Sequence, residues 1–301
     1  MNRHIRQTLL PLLAALIWGS AFVAQSVGAD HIGAFTFNAL RSMIAVPALG
    51  IVIFFMHRND PPKAPEKGER AMLWRGGTCC GVVLFLASAL QQLGLSDTGA
   101  GKAGFITALY IVLVPISSIL LRRRVALPVW IAVAITVTGL YFLCITDGFS
   151  ILPSDFLILL CAVAFAVQIL VIDHFAPHVD CVKMSCVQFM VAAVLSAICA
   201  ILTEEIDPAA IRACAWSLFY TGILSSGVAF TLQIVAQRDA NPTLVSLLMS
   251  MESVFAVVSG ALFLHEEMTS RELFGCALML AGILLSQIPL GKKNEGAVTN
   301  G

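Results

Sequence analysis

The chain has 301 residues, of which 58% are apolar and 12% charged, with a formal net charge of zero and a mean hydropathy of +0.90. A soluble chain carries roughly 25% charged residues, so this composition excludes a soluble globular protein and points to one integral to a membrane. Zero net charge argues against a nucleic-acid partner. The nine cysteines lie mostly inside apolar runs without paired CxxC spacing, and read as small buried hydrophobes rather than disulfides or metal ligands.

Taken in order, ten stretches approach the ~20 apolar residues that cross a hydrocarbon core: 8–27, 35–56, 71–93, 102–121, 128–145, 155–175, 182–203, 214–236, 243–264 and 273–290. Helix breakers punctuate the links, among them Gly28, Pro61, Pro62, Pro65, Pro128, Pro153, Pro177, Pro208 and Pro242. The longest links, 57–70 and 203–213, are too short to be domains. The polar residues 291–301 read as a disordered cytoplasmic tail. Arg3 and Arg6, with Val27-Gly28-Ala29 beyond the apolar run, resemble a signal peptide and its cleavage site. The run is longer than the usual signal core, and cleavage would remove one member of a repeat, so it is read as a retained helix.

Lysine and arginine set the orientation. With a cytoplasmic N-terminus, fourteen of them fall inside, from Arg3 and Arg6 through the Arg122–Arg124 run to Lys292 and Lys293. Only Lys102, Arg212 and Arg271 fall outside, and Arg41 lies within a span. The positive-inside rule therefore predicts a multi-pass protein of the inner or plasma membrane with both termini cytoplasmic. Glu204, Glu205, Asp207, Glu266 and Glu267 then face outward.

The chain also echoes itself. Leu16, Ala21, Phe22 and Gln25 align with Leu159, Ala164, Phe165 and Gln168 at a separation of 143. Leu90, Gln91, Asp97 and Val112 align with Leu232, Gln233, Asp239 and Val254 at 142, and Gly139 aligns with Gly282 at 143. The expected fold class is therefore all-α integral membrane: ten transmembrane helices as two five-helix repeats, residues 1–150 and 151–290. Five is odd, so the second repeat enters the membrane inverted. Inverted repeats mark secondary transporters, with the substrate site near the midplane between halves.

The motifs Trp18-Gly19-Ser20-Ala21-Phe22, Leu40-Arg41, Ala103-Gly104-Phe105-Ile106-Thr107-Ala108-Leu109-Tyr110, Val114-Pro115, Met251-Glu252 and Leu264-His265-Glu266-Glu267-Met268-Thr269 carry a resemblance. In that order and spacing they resemble the EamA-type group of the drug/metabolite transporter superfamily, over almost the whole chain. The resemblance implies export or exchange of small metabolites, often amino acids or related compounds. It also implies that the fifth and tenth helices support the bundle from its periphery. The family usually shows Glu-Pro in the ninth helix, whereas here Ser253 follows Glu252. No proline-driven kink is expected there, although Pro115 could kink the fourth helix.

Candidate site residues follow from the cost of polarity at depth. Glu252 lies about nine residues, roughly 13 Å, into its helix and takes the position that Tyr110 holds in the first repeat. It is a candidate proton carrier or partner for a substrate ammonium, or else a carboxyl that locks packing. Arg41, about six residues into its helix, either snorkels to the surface, pairs structurally, or attracts a substrate carboxylate. Gln25, Gln168, Gln91 and Gln233 form two repeat-related pairs. Their amides suit a cavity that binds polar solutes, or bond between helices. Trp18 and Tyr110 either wall that cavity or pack. Asp155, Asp173 and Asp180 read as solvated helix ends. His174 and His178 have no partner constellation for a metal.

An enzyme would need paired carboxylates, HExxH, or a serine with a basic partner at depth. The spans show no such set, so neither catalysis nor a cofactor is expected. A scaffold would need an extramembranous domain. The remaining expectation is a secondary transporter of small polar metabolites, in contact with lipid and with protons as a candidate coupling ion, its cavity ringed by helices 1–4 and 6–9. The alternative is an uncoupled facilitator or multidrug exporter.

Overall fold

The computed structural model describes residues 3–59, 68–95, 100–122, 125–145, 152–238, 240–263 and 269–287. The stretch Leu264-His265-Glu266-Glu267-Met268, Asp97, Asp239 and the tail 291–301 lie outside them. Among the described residues every regular element is helical. Span 1 is Arg3–Ala29, span 2 Ala34–Asn59 and span 3 Glu69–Gly94. Span 4 comes in two segments, Ala100–Ala108 and Tyr110–Leu120. Spans 5, 6 and 7 are Leu127–Cys144, Pro153–Phe175 and Cys181–Thr203. Span 8 joins Ala215–Tyr220, a π-helical segment Thr221–Ala229, and Phe230–Gln237. Span 9 is again divided, into Pro242–Met249 and Glu252–Phe263, and span 10 is Ser270–Gln287. The link before span 8, read as too short to be a domain, contains a short helix, Pro208–Ala213.

Local chemistry explains where the spans begin. Prolines occupy the first turns of spans 5, 6 and 9, where a missing N–H costs nothing. Asp180 caps span 7 by accepting from Val182 N and Lys183 N, and Asn241 caps span 9 by accepting from Thr243 N. Asp155 is buried, and its carboxylate accepts from Leu152 N at 2.6 Å. That corrects its reading as a solvated end: the carboxylate closes the first turn of span 6. Large apolar side chains such as Phe54, Phe55, Leu120, Leu202 and Trp216 remain exposed on the outside of the bundle, as a lipid-facing surface requires.

Packing joins the halves rather than separating them. Span 1 lies on span 8 and on the second segment of span 9; span 6 lies on span 3 and on both segments of span 4. Span 2 contacts span 8, and span 7 contacts span 3. Each of these contacts becomes the other when the repeats are exchanged. The pairs 2·7, 4·9 and 5·10 map onto themselves, so they lie along the pseudo-two-fold axis. Spans 5 and 10 meet backbone to backbone. A Cβ built on Gly139 would sit 2.7 Å from the Gly275 carbonyl oxygen and 2.8 Å from Met279 N. Only glycine permits that approach.

One asymmetry stands out. Gly81 and Gly222, which hold matching positions in spans 3 and 8, are 141 residues apart, whereas Gln91 and Gln233 are 142 apart. The extra residue of the second repeat falls within the π-helical segment, and a π turn is how a helix absorbs such an insertion.

Two stability predictions follow from these contacts. Gly139→Leu should overpack the 5·10 seam at about 1–3 kcal/mol, read as a lower thermal midpoint of the purified protein. At the turn joining spans 1 and 2, the Glu204 carboxylate accepts from Phe35 N and Thr36 N at 2.8 Å each and from Thr36 Oγ1 at 2.7 Å. It thereby ties the end of span 7 to the start of span 2. Glu204→Ala should lower the same midpoint by the loss of a cap, about 1–2 kcal/mol, and Glu204→Gln by less.

Candidate functional site

Polar side chains inside a low-dielectric bundle must meet one another or a shared cavity. Here they share one, with about 540 Å³ of atom-free space, part of it open to the exterior. All eight residues singled out from the sequence line it: Trp18 and Gln25 from span 1, Arg41 from span 2, Gln91 from span 3, Tyr110 from span 4, Gln168 from span 6, Gln233 from span 8 and Glu252 from span 9. Among the described residues, spans 5 and 10 contribute none to the lining. Neither does span 7, which corrects the expectation that it would join the ring. Its cavity-facing role is blocked by its packing on spans 2 and 3.

The two breaks place the central pair. Tyr110 and Glu252 are each the first residue of the second segment of their span. Span 9 is interrupted without a proline: Ser246 and Ser250 each donate a side-chain hydrogen bond to the carbonyl three residues earlier, at 2.9 and 2.7 Å. Met251 N then turns to Leu248 O. Serine hydroxyls that compete for backbone carbonyls in this way loosen a helix. The matching break at Leu109 in span 4 lies six residues before Pro115, so the proline does not form it directly. Tyr110 OH donates to Glu252 Oε1 at 3.2 Å, joining the two repeats on their common axis. Glu252 is 6% exposed, and its place at a segment N-terminus puts it at the positive end of a helix dipole. Span 1 abuts the same point: a Cβ on Gly19 would lie 2.5 Å from the Glu252 carbonyl oxygen.

That contact explains the Trp18-Gly19-Ser20-Ala21-Phe22 motif residue by residue. Trp18 Nε1 donates to the Ser225 carbonyl in the π segment at 3.3 Å, and its ring meets Phe230 edge-on at 4.8 Å. Gly19 admits the span 9 backbone. The Ser20 and Tyr220 hydroxyls hydrogen-bond at 2.5 Å. Ala21 is fully buried, and Phe22 reaches the cavity.

Arg41 does not snorkel. It is 5% exposed, donates from Nη1 to Gln25 Oε1 at 3.1 Å, and lies 5.9 Å from the centre of the Phe37 ring. Gln92 Nε2 donates to the Gln25 carbonyl at 3.4 Å. The second-repeat amides differ: among the described residues neither side-chain polar atom of Gln168 has a partner, nor has Gln233 Oε1. These amides can therefore offer both donors and acceptors to a polar solute. Among the described residues no cluster of His, Cys, Asp and Glu could hold a metal.

Further lining residues had not been singled out: Ser88, Thr107, Phe165, Ile169, Ser225, Phe230 and Met249, with Phe22. The repeat could have found most of them. Phe22/Phe165, Ser88/Phe230 and Thr107/Met249 sit at the same separations as Gln25/Gln168, Gln91/Gln233 and Tyr110/Glu252. Six repeat-related pairs thus supply most of the wall.

Comparison with known proteins agrees with this architecture. The EamA-like transporter family matches the chain twice, over residues 6–145 and 152–287. An uncharacterized transporter of Archaeoglobus fulgidus is 30% identical over 277 residues, covering 91% of this chain and 83% of that protein. The uncharacterized transporter YoaV of Bacillus subtilis is 22% identical over 289 residues, covering 92% and 95%. A protein of known crystal structure shares the fold with a TM-score of 0.77 at 20% identity, over 93% of this chain and 96% of that one. With two family matches in tandem and helical repeats closed around one polar cavity, this multi-pass membrane chain belongs to the EamA-like transporter family.

Proposed function

We propose that the chain exports or exchanges small polar metabolites by alternating access, with Glu252 as the site that couples solute or proton binding to movement of the halves. The observation that carries this reading is the Tyr110–Glu252 hydrogen bond. It joins the two repeats, at the break in each of their central spans, inside the cavity. A ligand shifts a conformational equilibrium only through a difference in its interaction with the two states. Glu252 supplies such a difference. A proton or a substrate ammonium arriving at the carboxylate competes with the Tyr110 hydroxyl, and a hydrogen bond to a charged group is worth about 1.5–3 kcal/mol. Loosening it frees span 4 from span 9. The break in each span gives the segment beyond it a place to pivot.

The charge pattern supports an N-terminus and C-terminus in the cytoplasm, which puts the Glu204 turn on the outer face. The cavity combines amides and hydroxyls with the aromatic walls Trp18, Phe22, Phe165 and Phe230. That mixture fits a solute with a polar head and an apolar body, the class to which amino acids and related compounds belong.

The test is an untargeted profile of culture medium from cells overproducing wild type, cells overproducing Glu252→Gln, and cells with empty vector, at matched membrane levels. At least one metabolite should accumulate with wild type and fall to the empty-vector level with Glu252→Gln. Equal accumulation with both proteins would remove Glu252 as the coupling residue and leave an uncoupled facilitator. Accumulation with neither would overturn export. Tyr110→Phe keeps the ring and removes the hydroxyl, so efflux of the same metabolite should fall roughly tenfold or more without loss of protein from the membrane.

A further inference from the structure

We propose that Arg41, oriented by Gln25, is an anion subsite that takes the carboxylate of the transported solute and fixes its orientation in the cavity. The inference rests on the transport reading above and adds what the solute must carry. Arg41 is a buried guanidinium on the cavity wall whose only hydrogen-bonding side chain among the described residues is a neutral amide, 3.1 Å away. A guanidinium has five N–H donors in a planar fork that matches a carboxylate. A buried charge held without a counter-charge is costly, and among the described residues no carboxylate lies within ion-pair range of it. Glu252, the one carboxylate on the cavity wall, is engaged by Tyr110. The site therefore offers donors that the protein does not fill.

The repeat shows that this charge is particular to one half. A Cβ on Gly222 would sit 2.9 Å from the Arg41 carbonyl oxygen and 2.7 Å from Ile44 Cβ. A Cβ on Gly81 would sit 2.7 Å from the Gln188 carbonyl oxygen and 2.6 Å from Val191 Cβ. Two contacts in register make Gln188 the counterpart of Arg41, as Gln168 is of Gln25. The second half thus carries two neutral amides, and the side-chain polar atoms of both have no partner among the described residues. A solute carboxylate meets a cation in one half and, at the matching wall of the other, the uncharged Gln168, so it binds one way round. Its head lies toward the turn joining spans 1 and 2.

The test uses the purified full chain in lipid nanodiscs and probes that differ only at the carboxyl group, with a phenyl body to suit the aromatic walls. The pairs are L-phenylalanine against L-phenylalaninamide, and 3-phenylpropionate against 3-phenylpropionamide. Each acid should raise the thermal midpoint of wild type at lower concentration than its amide. Arg41→Gln should weaken the response to the acids by about tenfold or more and abolish the preference, whereas Arg41→Lys should retain part of it. Gln25→Glu places a carboxylate beside Arg41 and should abolish the preference while leaving the unliganded midpoint at or above that of wild type. This second variant reads the subsite even if Arg41→Gln fails to fold. No response to the acids, equal responses to acid and amide, or a preference that survives both Arg41→Gln and Gln25→Glu would overturn the proposal. A wild type that prefers the acids in nanodiscs yet enriches no metabolite in medium would keep the subsite and overturn export.

Discussion

Burial of polarity in an apolar surround is the constraint on which this structure depends. A lipid-facing helix can satisfy its backbone by itself, but an amide, a guanidinium or a carboxylate at depth has no water to turn to. Every such group in spans 1, 2, 3, 4, 6, 8 and 9 that reaches the cavity turns inward to the same space. The outer faces are left to Phe54, Leu120, Leu202 and their like. The cavity is therefore less a hole in a bundle than a place where these helices gather many of their polar residues. The hydrogen bonds that line it, Tyr110 to Glu252, Arg41 to Gln25 and Trp18 to Ser225, each cross between helices. The polar site and the helix arrangement hold each other in place.

Duplication then gives this space its geometry. Six pairs of lining residues are related by the repeat, yet chemical identity survives in only some. Gln25/Gln168, Gln91/Gln233 and Phe22/Phe165 are matched. Tyr110/Glu252 is not, nor is Arg41 matched by its buried counterpart Gln188, which stands outside the wall, and in both of these one member is charged and the other neutral. The scaffold is close to symmetric while its charge is not, and a directional solute has something to distinguish only in that difference.

Much of this was legible in the residues. Spans of ~20 apolar residues and the punctuating prolines were enough to place ten helices, and the echo of Gln25 and Gln91 in Gln168 and Gln233 to place two repeats, while the eight residues that line the cavity were singled out with their roles left open. What hydropathy could not tell was which way a side chain turns about its helix. In a span that is apolar all round, no polar face marks the inward side, and so the snorkelling of Arg41 and the exclusion of span 7 were open or misjudged. The breaks in spans 4 and 9 were hidden for a different reason. A proline announces itself in sequence, whereas the serine hydroxyls of Ser246 and Ser250 act through rotamers that only the folded helix shows. Asp155 looked like a surface carboxylate because a capping role depends on a backbone N–H three residues away.

The π-helical segment of span 8 has a consequence of its own. Two identical halves, inverted and exchanged, would make a cavity open to one side and a cavity open to the other equivalent by a two-fold rotation, equal in free energy and populated one to one at rest. The inserted residue between Thr221 and Ala229 has no partner in span 3, which is continuous from Glu69 to Gly94. The degeneracy is thereby lifted before any solute arrives. A difference of about 1.4 kcal/mol between the two forms would already hold them at ten to one, so under the proposed alternating access a single residue is enough to favour one side at rest.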